Sequence, residues 1–162
     1  MNYCITRTID TTDMAALKER VVEALKTEGF GVLTEIDLQA TLKKKLDKDH
    51  LPHLILGACN PVFADQVVTL EPHISTMLPC NVTIRQLPDG KHELAAIDPA
   101  AAMGAVGNPA VEPIAAQVRD SLRLPLRPTC GGLLQTHMVQ ACWCRDHISQ
   151  VRHEFKLHLR GR

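Results

Sequence analysis

Aromatic residues are scarce in this chain: one Trp, one Tyr and three Phe make up 3% of it. A core therefore has to come from Val, Leu, Ile and Ala, and a hydrophobic share of 45% supplies them in ordinary globular measure. Neither charge sign is in excess, because 18 Lys and Arg balance 18 Asp and Glu. That balance removes any whole-chain pull toward nucleic acid or an anionic membrane surface. No apolar run approaches the ~20 residues that span a bilayer, and the N-terminus lacks the basic-then-apolar pattern of a secretory signal. The expectation is a cytoplasmic protein with neither nucleic acid nor membrane as a partner. In that compartment its six cysteines are thiols rather than a disulfide framework. The common catalytic templates are missing too. There is no glycine-rich phosphate loop, no Gly-x-Ser-x-Gly elbow, and His92-Glu93 has no second His at metalloprotease spacing.

What is present reads as one small domain, residues 1–124, followed by an appendage. Residues 3–9, rich in Ile and Thr, predict an opening strand. Thr11, Thr12 and Asp13 are good helix caps, and Met14, Leu17, Val21 and Leu25 then recur on one helical face, stopped by Gly29. Residues 30–36 predict a strand with at least one buried face. Asp37 caps a short helix carrying Leu38, Leu42 and Leu46, whose Lys43-Lys44-Lys45 run reads as a solvated face. Residues 53–58 fit a buried strand, and Asn60-Pro61 is a strong helix start, since Pro at the first helical position loses no needed N–H. Residues 71–79 are expected to be a loop. Residues 80–86 and 91–97 form a hairpin about Pro88-Asp89-Gly90. Residues 99–107, rich in Ala and Gly, are expected to be a mobile connection. Asn108-Pro109 starts a last helix with Val111, Ile114, Val118 and Leu122 on its apolar stripe. This order predicts an α+β fold, an antiparallel-rich sheet with helices packed on one face.

Beyond Leu124 the character changes. Pro125, Pro128 and Gly131-Gly132 break regular structure. Six Lys and Arg stand against Asp146 and Glu154, which leaves residues 125–162 at about +4 and the rest at about −4. This basic extension either stays irregular or forms part of a helix through Ile148, Val151, Phe155 and Leu159. Its Cys130, His137, Cys142, Cys144, His147 and His153 include soft donors. Cys142-Trp143-Cys144 nevertheless has one intervening residue where structural zinc sites have two to four, so no metal is assigned to the tail.

Three ordered pieces resemble a bacterial family, domain of unknown function number 302. They are Phe30-Gly31-Val32-Leu33-Thr34-Glu35-Ile36-Asp37, then Leu54-Ile55-Leu56-Gly57-Ala58-Cys59-Asn60-Pro61, then Leu78-Pro79-Cys80-Asn81-Val82. The hairpin with Asp89-Gly90 at its tip and Asp98-Pro99 behind it is similar as well. The resemblance covers about residues 3–124. It implies a TATA-binding-protein-like arrangement of strand, helix, four strands and helix, and a homodimer. It implies no reaction, since function resides in sites rather than folds.

Two cysteines fall inside these pieces. Cys59 precedes the Asn60-Pro61 helix start, where backbone N–H groups and the helix dipole favour a thiolate. Cys80 opens the next strand. Together they are candidates for a ligand or metal site, with His53 and His73 as further donors. The alternatives are a pair of small buried residues, free cysteine being among the most buried types, or a disulfide. Glu35, Asp37 and Asp98 are carboxylates in positions where a cleft could use them for acid–base work, although strand ends and loops ordinarily carry such groups for solvation alone. The leading expectation is a non-catalytic homodimeric module that binds a small ligand or metal near Cys59 and Cys80. A thiol-dependent or redox enzyme using Cys59, and a purely structural interaction domain, are the alternatives. No particular cofactor is indicated.

Overall fold

The structure, a computed structural model, describes residues 3–123. Five strands form one sheet: β1 (Cys4–Ile9), β2 (Gly31–Asp37), β3 (His53–Cys59), β4 (Cys80–Gln86) and β5 (His92–Ile97). Their spatial order is β1-β5-β4-β3-β2, and every neighbouring pair is antiparallel. The helices are α1 (Met14–Thr27), α2 (Leu38–Leu46), α3 (Pro61–Leu70), α4 (Pro99–Met103) and α5 (Glu112–Arg123). The fold is α+β with helices on one face of the sheet, as the periodicity predicts. None of the described helices is long and apolar enough to cross a membrane. The tail and its candidate donors lie outside the described residues.

Side-chain alternation explains the layering. On β4, Cys80, Val82 and Ile84 are buried, and on β5, His92, Leu94 and Ala96 are. The register aligns these two sets and adds Leu56 and Ala58 from β3 on the same face. Against them α1 sets Leu17, Val21 and Leu25, while α5 sets Val118 and Leu122. Full burial of each such aliphatic side chain is worth about 1.5–3 kcal/mol. A second, smaller cluster holds Val67, Ile74, Met103, Val111 and Ala115. Among the described residues His92, 1% exposed, is the buried polar one, and its Nδ1 lies 2.6 Å from the carbonyl oxygen of Thr11. That contact ties β5 to the turn that leads into α1.

Four expectations need correction. First, β2 is an edge strand and almost wholly exposed, with Leu33 and Ile36 turned to solvent. A bulge between Val32 and Thr34 is the cause: one extra residue shifts the alternation, so Glu35 rather than Ile36 falls opposite Leu56 on the helix side. There it meets Lys18 of α1 at 3.0 Å. Second, residues 99–107 are not a loose connection. Asp98 accepts hydrogen bonds from the N–H groups of Ala100 and Ala101, Pro99 takes the first turn, and Met103 is buried at its end. This is the same cap-plus-proline chemistry as Asn60-Pro61. Third, Pro72–Met77 within the expected loop forms a 3₁₀ helix that buries Ile74. Fourth, α5 begins at Glu112, because Asn108 caps only a turn through the Ala110 N–H.

Candidate functional site

Cys59 ends β3 and Cys80 begins β4, and the register pairs Ala58 with Cys80. The two cysteines are thus brought to one end of adjacent strands. Both line a small pocket at the seam between the two hydrophobic clusters, together with Phe30, Phe63, Leu78 and Met103. Its free volume is about 20 Å³, room for about one or two water molecules. The walls are apolar apart from the thiols and Asn60.

Asn60 organises the pocket's rim. Its side-chain oxygen accepts from the N–H groups of Val62 and Phe63 at 3.1 and 3.4 Å, capping α3. Its amide nitrogen donates to the carbonyl of Glu28 at 3.3 Å, which fastens the end of α1 to the start of α3. Gly29, at φ 78°, makes room for this contact, since a Cβ there would approach the Asn60 amide nitrogen at 2.9 Å.

The same geometry reverses the expected chemistry of Cys59. Burial pushes its thiol above the ordinary value. The helix donors that would have favoured a thiolate are already taken by Asn60. Cys80 is raised further, to about 11, by burial first and by proximity to Cys59 second. Both thiols are free. Asn60→Ala should therefore have two effects. Loss of the cap and the Glu28 link should cost about 1–2 kcal/mol in chemical denaturation, and Cys59 should alkylate faster as its neighbouring N–H groups are released. Asn60→Asp keeps the acceptor and should lose less stability. Equal stability for Asn60→Ala and the parent would contradict this account.

The two histidines are not brought to the cysteines. His53 pairs with Arg85 at the opposite end of β3, roughly 20 Å from Cys59 at strand spacing. Burial and the nearby Arg85 charge lower its pKa. The His73 side chain is 96% exposed and lies 3.4 Å from a Glu71 carboxylate oxygen. Among the described residues no group of three or more His, Cys, Asp or Glu is placed to hold a metal ion.

The three candidate carboxylates have structural work. Glu35 pairs with Lys18, Asp37 caps α2 through the Ala40 N–H at 2.8 Å, and Asp98 caps α4. The pocket residue that sequence reasoning missed is Met103. The signal for it was Asp98-Pro99, a cap followed by proline, four residues before a methionine.

Comparison with known families and structures agrees with this fold. The family model for the domain of unknown function DUF302 matches residues 5–126. A crystal structure of an uncharacterized conserved DUF302 protein from Bacillus stearothermophilus is 30% identical, with a TM-score of 0.73. The match covers 78% of this chain and 97% of that one. No curated protein matches.

Proposed function

The chain belongs to the DUF302 family, and we propose that it is a non-catalytic homodimeric module that holds a small ligand or metal in the Cys59/Cys80 pocket. The observation that carries this reading is the pocket itself: two cysteines between apolar walls, whose burial pushes both thiols above their ordinary pKa. A nucleophilic or redox cysteine needs the opposite setting, with a lowered pKa and a base or cation beside it. An apolar pocket with a few polar groups is instead a setting for binding. Reduced thiols fit a cytoplasmic setting.

The dimer reading rests on the face of the sheet opposite the helices. Register carries one uncharged row, Thr6, Ala95, Thr83, Ile55 and Ile36, across all five strands. A flat row of small and aliphatic side chains suits a second copy of itself about a two-fold axis. Beside it Arg85 and Glu93 are paired at 2.7 Å, so their charges are matched within the chain. Sedimentation equilibrium at tens of micromolar should give the mass of a dimer, and Thr83→Arg in the middle of the row should give a monomer that melts cooperatively. A monomer for the parent chain would refute the dimer. For the pocket, native mass spectrometry of protein purified without chelators should show a bound species that Cys59→Ser loses at unchanged melting temperature. Retention of that species in Cys59→Ser would remove the site.

A further inference from the structure

A third sulfur-bearing residue lines the pocket with the two cysteines. Met103, at the end of α4, is 6% exposed and lines the same space as Cys59 and Cys80. We infer that Cys59, Cys80 and Met103 form a site for a soft monovalent metal ion of the copper(I) class. The inference rests on the reading that this pocket binds a ligand or metal, and it specifies which kind.

The donor set selects the ion. Two cysteines and a thioether are soft donors, the combination that favours copper(I) over harder cations. Calcium and magnesium require six or more oxygen ligands or retained waters, and no carboxylate lines the pocket. Zinc in a closed site takes four ligands, usually thiolate or imidazole. Here neither His53 nor His73 lines the pocket. The amide oxygen of Asn60 is occupied by the cap of α3.

Charge points the same way. A monovalent ion bound by one thiolate is neutral overall, which an apolar pocket tolerates. A divalent ion bound by one thiolate leaves a net buried charge, and removing it requires the second, more deeply buried thiol to ionise as well. The balanced step is simple. The Cys59 S–H bond breaks, its proton leaves to solvent and a sulfur–metal bond forms. Met103 and Cys80 supply lone pairs, and no electron changes hands. Size agrees: about 20 Å³ accommodates a bare ion, whereas divalent magnesium dehydrates reluctantly. Phe30 and Phe63 add apolar wall to the same pocket.

The test uses the full chain with Cys4, Cys130, Cys142 and Cys144 replaced by Ser, so that only the pocket thiols remain. Anaerobic titration with copper(I) against a chromogenic chelator should show uptake of about one ion per chain, with about one proton released. Met103→Leu keeps the volume and removes the donor, and should weaken copper(I) binding by about tenfold or more. Met77→Leu, which alters a methionine outside the pocket lining, should leave it unchanged. Unaltered affinity in Met103→Leu, or zinc(II) held as tightly as copper(I), overturns the soft-ion site and leaves the metal-binding reading intact. A folded parent chain that takes up neither metal, but binds a small apolar probe displaced by Phe63→Trp, overturns the metal and retains the pocket. Uptake of nothing overturns both.

Discussion

Gly57→Val should destabilise the domain by about 3 kcal/mol, an overpacking cost at the upper end of the usual range. Gly57 is in the middle of β3, where a strand normally gains from a β-branched side chain. Here any Cβ runs into the Thr34 hydroxyl oxygen and the Pro79 ring, with the Pro79 Cγ only 2.7 Å away. One neighbour sits on β2 and the other just ahead of β4, so the glycine lets both flanking segments close over β3. Urea denaturation of Gly57→Val, alone and with Thr34→Ala, measures it. The double variant should recover part of the loss, because the hydroxyl contact is relieved and the proline contact is not. Stability equal to the parent for Gly57→Val would show that the close approach is absent in solution.

Cys80 should be nearly inert to alkylation at neutral pH. Its pKa of about 11 against an ordinary 9.0 leaves about a hundredfold less thiolate at pH 7. The linked effect on stability has a definite sign. The folded pKa lies above the unfolded one, so the folded state holds this proton more tightly. Its contribution is fully present below pH 9 and is lost as pH rises from about 9 toward 11. Over that window the loss approaches about 2–3 kcal/mol for this one group. Comparing urea midpoints of the parent and Cys80→Ala between pH 8 and about 11 isolates it, with the alanine variant showing the shallower decline. A thiol that alkylates at the rate of a free cysteine would mean that the pocket is open to water. It would also revive a nucleophilic role.

Local chemistry was the legible part of this chain. Asp13, Asp37 and Asn60 could be read as caps because the acceptor stands immediately before an apolar-periodic stretch, and each does accept from the following turn. The hairpin of β4 and β5 was equally plain, since Asp89-Gly90 demands a turn and Gly90 takes φ 85°. The edge position of β2 was not legible. Phe30, Val32 and Ile36 alternate as a half-buried strand should, and only pairing with β3 reveals the bulge that turns Ile36 away. The α4 segment escaped because alanine contrasts little between buried and exposed faces, leaving periodicity nothing to detect. Without α4, Met103 had no place beside the cysteines. Conversely, His53 and His73 were grouped with them by residue type alone, and chemistry-bearing residues become a site only through strand register.

The bulge in β2 bears on whether further chains can add at this edge of the sheet. A long flat edge strand is a template onto which other chains add, copy after copy, into fibrils. In β2 the pleat is broken at Val32/Thr34, and the stretch beyond it carries Glu35, anchored to Lys18, and Asp37, committed to the α2 cap. An incoming strand would meet a kinked ladder flanked by two carboxylates, so the sheet cannot extend indefinitely in that direction. In the proposed dimer, association through the uncharged row on the open face would consume its own surface as soon as two copies meet. The irregular strand thus disfavours open-ended strand addition at this edge.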